Sequence, residues 1–267
     1  MKKLIKYLTI MLLAASIVFP LTNVNAQTTL ESIKEKGQLV VGTSADYPPF
    51  EWVSIEDGKE EIIGADIDLA QEIADELGVE LVIENMGFDG LIPSLMTNRV
   101  DILIAGMGYT EDRANQVDFS TPYYETTDYF VVRAEDVDQF QDASAFGEKR
   151  LGAQKASIQE GIISSEFPDA DLTSLGKNND LIQSLLTNRI DAVLLDEVAA
   201  AQFIKQNEDK LVLLESFPFV DEEAQTGQSV IINKDNEDLL EVIDGVIEEM
   251  VESGEYEELI EKYIELI

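Results

Sequence analysis

Cysteine and histidine are both absent from this 267-residue chain. Their absence removes thiolate nucleophiles, disulfides, imidazole acid–base catalysis and most zinc and copper sites. It does not by itself fix the compartment. Basic residues are scarce as well: 18 Lys+Arg stand against 54 Asp+Glu, a formal net charge of -36. A surface of that sign repels nucleic acid and anionic lipid headgroups and favours solubility, in high salt too. Past the N-terminal segment, no run is apolar enough to cross a bilayer. Hydrophobic residues still make up 45% of the chain, enough for a real core. The length suits one large domain or two small ones.

The N-terminus carries the export information. Met1, Lys2, Lys3 and Lys6 form a positive start, residues 7–19 form an apolar run interrupted only by Thr9 and Ser16, and Pro20 breaks it. Val24-Asn25-Ala26 places a small residue before a cut, so residues 1–26 are expected to be a secretory leader cleaved after Ala26. The alternative is a retained anchor, but the run is short of the roughly 20 apolar residues a span needs.

Beyond the leader, short β-rich runs alternate with amphipathic helical segments. Leu39-Val40-Val41-Gly42 reads as a buried strand ending in a glycine turn. Ile67, Leu69, Ala70, Ile73, Ala74 and Leu77 recur at helical spacing over residues 66–77, and Gly78 stops that helix. Residues 79–83 read as the next strand. Such alternation predicts an α/β fold with mostly parallel sheets and helices on both faces.

An internal echo predicts two such units. Leu91-Ile92-Pro93-Ser94-Leu95-Met96-Thr97-Asn98-Arg99-Val100-Asp101 returns as Leu181-Ile182-Gln183-Ser184-Leu185-Leu186-Thr187-Asn188-Arg189-Ile190-Asp191. Each copy reads as helix, Asn-Arg turn, Asp and apolar strand, so two lobes of related design are expected. The first strand runs into Ala105-Gly106-Met107-Gly108, bare backbone, and the second into Asp196, a carboxylate. Ligands bind beyond the carboxyl ends of strands in open α/β sheets. The acidic stretch 133–142 and the polar stretch 221–227 are read as the two changes of lobe. The boundaries expected are 27–126 with 224–267 for lobe 1, and 127–223 for lobe 2. Residues 239–264 are helical by periodicity, with Gly245 and Gly254 as interruptions, and are placed back on lobe 1.

In Tyr109-Thr110-Glu111-Asp112-Arg113, Thr110 can cap a helix whose acidic first turn suits the dipole. Arg113 then lies near the Gly106–Gly108 backbone and can grip a carboxylate through two parallel hydrogen bonds. The plainer alternative is a surface arginine paired with Glu111 or Asp112. The cluster Tyr47-Pro48-Pro49-Phe50-Glu51-Trp52 follows a strand end and can wall a pocket or form a rigid surface turn. Phe88-Asp89-Gly90 offers a second wall.

In order along nearly the whole mature chain, these motifs resemble the bacterial polar amino-acid-binding proteins of ABC importers, the family 3 extracellular solute-binding proteins. The segments are residues 43–50, 64–70, 88–95, 105–113, 117–124, 152–160 and 191–200. The resemblance implies a two-lobed venus-flytrap of the periplasmic-binding-protein type II fold, with two crossover strands. It implies that Arg113 binds the α-carboxylate of a free L-amino acid, helped by backbone at Gly106 and Ser157, that Asp196 binds the α-ammonium, and that Ala105 is among the ligand-binding residues. It implies aromatic walls at Tyr47 and Phe88, with Gln154 among the lining residues. Ser44 stands where cationic amino-acid binders often carry a side-chain-reading Asp, a task Glu51 can take over.

The chain departs from the family's pattern at three places. Gly108 replaces a usual Ser or Thr, Ile158 replaces a frequent Thr, and the lipid-modified cysteine of Gram-positive relatives has no counterpart. The implied location is the periplasm, the cell surface or the medium. The implied partner is the importer's transmembrane permease, and a monomer without cofactor or metal is expected. A cationic ligand such as arginine or lysine is favoured over glutamine or another polar amino acid, given the acidity. Two alternatives stand beside this reading: a cyclohexadienyl dehydratase-like enzyme using Glu51 as acid–base, and the ligand-sensing module of a receptor.

Overall fold

The computed structural model describes residues 29–56, 58–219 and 227–267. The expected leader, its cleavage point and the lobe boundary between residues 223 and 224 lie outside the described residues. Helix α1 (Thr29–Lys36) leads into β1 (Gln38–Thr43), then the short strands β2 (Asp46–Tyr47), β3 (Glu51–Glu56) and β4 (Lys59–Ile63). There follow α2 (Ala65–Leu77), β5 (Glu80–Asn85), α3 (Leu91–Met96), β6 (Ile102–Leu103), α4 (Glu111–Ala114), β7 (Val117–Phe119) and β8 (Asp128–Arg133). Next come β9 (Arg150–Gln154), α5 (Ile158–Glu166), β10 (Asp171–Leu175), α6 (Asn178–Leu186), β11 (Ala192–Asp196), α7 (Glu197–Gln206) and β12 (Leu211–Phe219). The chain ends in β13 (Ile231–Asn233), α8 (Glu237–Ser253) and α9 (Glu255–Leu266).

Two five-stranded sheets form the two lobes, ordered β5-β1-β6-β13-β7 and β10-β9-β11-β8-β12, and β2-β3-β4 makes a small third sheet. The first three strands of each large sheet run parallel in the same relative order, the fourth runs antiparallel to them, and the fifth pairs antiparallel with the fourth. Both large sheets carry helices on two faces. Val41 packs with α2, α8 and α9 residues, whereas Val40 packs against the α3 side. Leu194 and Leu195 likewise point into opposite cores. Strands buried on both sides are therefore apolar throughout, as their sequences read.

The echo is a repeat of hydrogen bonding. In the first copy Asp101 N–H donates to Val40 O at 2.8 Å, and its Oδ2 accepts from Val40 N at 2.7 Å. In the second, Asp191 N–H donates to Arg150 O at 2.7 Å, and its Oδ2 accepts from Arg150 N at 3.0 Å. Asn98 (φ 54) and Asn188 (φ 57) both take the left-handed turn that asparagine tolerates. Glycine recurs at the facing position. A Cβ on Gly42 would meet Leu103 Cδ2 at 2.8 Å, and one on Gly152 would meet Ile190 Cδ1 at 2.7 Å. Each lobe thus uses one aspartate to pin the turn to its first strand and one glycine to let the apolar side chains in.

Two expectations change. Stretch 133–142 is not a change of lobe: β8 already pairs with β11 and β12 in the second sheet, and Arg133 is tied to Leu185 O, Ile190 O, Asp136 and Asp191 within it. The passage occurs earlier, where Tyr124 pairs antiparallel with Gln228. Gly245 does not interrupt α8 either. A glycine inside a helix costs only about 1 kcal/mol, and Leu239, Ile243, Ile247 and Met250 anchor this one in the first core. Gly254, at φ 79, does end it.

Burial tends to raise the pKa of Asp191, but hydrogen bonds from Arg150 and Arg133 outweigh it and hold the group down at about 2. Asp191→Ala is expected to cost about 2 kcal/mol in urea unfolding at pH 7, because it strips partners from a buried arginine. A depressed carboxylate stabilises above its unfolded pKa and stops doing so as pH falls through its folded value. The gap between variant and wild type should therefore close as pH falls from about 4 to about 2.

Candidate functional site

A cavity lies where the carboxyl ends of both sets of parallel strands converge. Its first-lobe wall consists of Ser44, Tyr47, Glu51, Phe88, Ala105, Gly106, Gly108 and Arg113. The facing wall consists of Gln154, Ser157, Ile158, Gln159, Asn178, Leu194 and Leu195. Every site residue expected from sequence lines it except Asp196.

Arg113 is fixed by local chemistry. Thr110 caps α4, its Oγ1 accepting from Arg113 N at 3.2 Å. The guanidinium, on a side chain 8% exposed overall, donates to Gly108 O at 2.6 Å and to Ala156 O at 2.8 Å, so it spans the two lobes. It also lies over the Phe88 ring, 5.6 Å from the centroid. No carboxylate pairs with it among the described residues, and burial lowers its pKa to about 10. The surface pairing with Glu111 or Asp112 does not form. A cation so placed, with N–H groups left over from its two backbone bonds, is a receptor for an anion.

Gly106 owes its place to Asp66. The Asp66 carboxylate accepts from Tyr256 OH at 2.6 Å, Tyr123 OH at 2.9 Å and Gly106 N at 3.2 Å. Gly106 sits at φ 58, and a Cβ there would meet Tyr47 Cε1 at 2.9 Å, so both backbone and ring require glycine. Tyr47 stacks on Phe50, with centroids 5.4 Å apart.

Three carboxyls cluster at the first-lobe wall, and of them Glu51 lines the cavity. Glu51 is 1% exposed and, once protonated, donates a hydrogen bond to Asp66. Burial first, then the charges of Asp66 and Asp46, push its pKa well above the carboxylate range. Asp66 is raised by burial, but its three donors oppose the rise, so the proton of the pair resides on Glu51. Asp46 is raised to about 6 by burial, against the Asn178 N–H and the charge of Lys177.

The departures at Gly108 and Ile158 belong together. A Cβ on residue 108 would meet Ile158 Cδ1 at 2.8 Å, so the isoleucine of one lobe occupies the space that the missing side chain of the other leaves. Lys155, next to the lining residue Gln154, is spent on an exposed ion pair with Asp89 across the lobes at 2.7 Å.

Asp196 ends β11 and caps α7. Its Oδ1 accepts from Val198 N and Ala199 N, both at 3.0 Å, while Oδ2 is buried without a partner. Burial raises its pKa to about 7 against those two N–H donors. Of the lining residues the sequence did not single out, Gln159 follows Ile158 in the first turn of α5, and Asn178 opens α6 beyond β10. The strand-end rule that located the others covers Asn178 too, once β10 is known. Leu194 and Leu195 are indistinguishable from the rest of a buried strand.

The profile of the bacterial extracellular solute-binding proteins, family 3, matches residues 39–266. The arginine-binding extracellular protein of Bacillus subtilis (strain 168) is 33% identical over 257 residues, covering 95% of this chain and 96% of its own. An amino acid ABC transporter substrate-binding protein from Streptococcus pneumoniae Canada MDR_19A, solved bound to L-arginine, superposes with TM-score 0.84 at 38% identity, covering 89% of this chain and 98% of its own. An ancestral amino-acid-binding protein described as a precursor of cyclohexadienyl dehydratase gives TM-score 0.78 at 29% identity, covering 88% and 99%. All three are binding proteins rather than enzymes. The chain belongs to the bacterial extracellular solute-binding proteins, family 3.

Proposed function

We propose that this protein captures a free L-α-amino acid between its lobes, an arginine-type cationic one by preference, and delivers it to the permease of an ABC importer. The observation that carries this is Arg113, a buried guanidinium without an acidic partner among the described residues, shared between both walls of one cavity. It receives the α-carboxylate. The unpartnered Asp196 Oδ2, one residue beyond the lining Leu195, receives the α-ammonium. Residues 27–126 with 224–267 then close against 127–223, because the ligand's ends are held by different lobes and only the closed state offers both. An export leader places the protein outside the cytoplasm, as the family name implies.

Cationic preference rests on the carboxyls at the far end of the cavity. Glu51 holds its proton while buried alone beside Asp66 and Asp46, and a cationic side chain supplies the charge that lets it ionise. Relatives named for arginine support the same choice. Delivery to an importer is supported by the transporter named for the solved relative. The precursor of a dehydratase is itself an amino-acid-binding protein, so the enzymatic alternative gains nothing from it.

A thermal-shift screen of the twenty amino acids tests the ligand class, since a true ligand raises the melting temperature by mass action. Arginine is expected to give the largest rise, and no rise with any amino acid sinks the proposal. Arg113→Ala should cost about 2–5 kcal/mol of affinity, leaving no calorimetric binding by a protein that stays folded by circular dichroism. Asp196→Asn should lose a similar amount, while its side chain still caps α7.

The pH dependence follows from Asp196, which titrates at about 7. An ammonium binds its charged form, so this group makes affinity weaken by nearly tenfold per unit as pH falls below that value. In Asp196→Asn the step should vanish. Unfolding behaves in the opposite sense. A raised acid binds its proton more tightly folded than unfolded, so its contribution to stability declines as pH rises from 3.8 towards about 7.

A further inference from the structure

We propose that Asn178 reads the far end of the ligand's side chain and selects a planar, nitrogen-bearing terminus, a guanidinium or carboxamide, over an ammonium. This rests on the zwitterion clamp proposed above. Asn178 is 1% exposed, lines the cavity on the second lobe, and leaves both Oδ1 and Nδ2 without a partner. An unsatisfied amide so deeply buried is costly, and a ligand that satisfies it recovers that cost. Glu51, equally buried, stands in the wall of the other lobe. Both groups are planar, and each offers acceptor oxygens.

A guanidinium carries five N–H donors in one plane and is weakly hydrated, so it can bond two planar partners on opposite walls. A carboxamide matches Asn178 with one donor edge and one acceptor. A lysine ammonium is a compact, strongly hydrated point charge with three diverging N–H groups, which an amide oxygen and one carboxyl do not surround.

The position of Asn178 depends on closure. Lys177, the residue before α6, supplies no side-chain cap. The Asn178 N–H donates instead to Asp46 Oδ2 of the first lobe at 2.6 Å. The backbone of Asn178 thus helps to lock the lobes while its side chain faces the cavity, and its selectivity is exercised only in the closed state.

Titration calorimetry of wild type and Asn178→Ala with L-arginine, L-glutamine, L-lysine and L-alanine separates the two roles, because alanine substitution keeps the N–H bond to Asp46. The expected result is a loss of about tenfold or more for arginine and glutamine, and less than about threefold for lysine and alanine. The arginine-to-lysine preference therefore collapses. Asp46→Asn should instead weaken every ligand alike. A uniform loss in Asn178→Ala, or none, overturns the proposal, and Asn178→Leu, which keeps shape without hydrogen bonding, replaces it if that variant fails to fold. If wild type binds none of the four, the clamp itself is wrong; if it binds arginine with its preference intact in both Asn178 variants, only the assignment of Asn178 is.

Discussion

The hydrogen bonds converging on the Asp66 carboxylate organise the site. Tyr256 comes from α9, Tyr123 from the segment leading to the second lobe, and Gly106 from the turn beyond β6. One buried charge, solvated by three protein donors instead of water, therefore ties the returning C-terminal helix, the crossover and the cavity floor together. It also forces Glu51 to stay protonated, since a second charge beside it has no donors to solvate it. The neutral acid in the cavity wall is thus a consequence of how the first lobe is held together.

Closure uses backbone more than side-chain ion pairs. Arg113 reaches Ala156 O, Asp46 reaches Asn178 N, and Ile158 fills the space over Gly108. The one interlobe ion pair described, Lys155 with Asp89, is exposed and therefore weak. In the proposed function, Gly108 and Ile158 supply no hydroxyl at the carboxylate end of the cavity. Fewer neutral donors remain there, so more of the anion's stabilisation falls on Arg113, in surroundings of low dielectric that strengthen its attraction.

Local periodicity made much of this legible. Apolar spacing located α2 and its stop at Gly78, and the echo located matching turns whose aspartates bond their lobes in the same way. Strand-end glycines and the Thr110 cap led to Arg113. What stayed hidden depends on contacts distant in sequence. The N-terminus of α6 is capped from Asp46, 132 residues away, so the contact that fixes Asn178 in the cavity leaves no local trace beyond its place after a strand end. Stretch 133–142 looks like a linker because it is acidic, yet Arg133 absorbs part of that charge inside the second lobe. Gly245 looks like a break because isolated glycines disfavour helix, and the buried face of α8 overrides that preference.

Two scales of electrostatics act on the ligand in opposite ways. The net charge of -36 attracts cations over long distances, but salt screens it within about 10 Å. It governs encounter, and it cannot distinguish arginine from lysine. Discrimination needs groups removed from solvent, where each unpaired donor or acceptor costs free energy until the correct partner arrives. Glu51, Asn178 and Asp196 are such groups, each at 1% exposure and each with at least one orphaned atom. Their burial is unfavourable in the unliganded closed state, which keeps that state from being too stable on its own. In the proposed function a ligand that satisfies them closes the lobes, and selectivity and closure then draw on the same free energy.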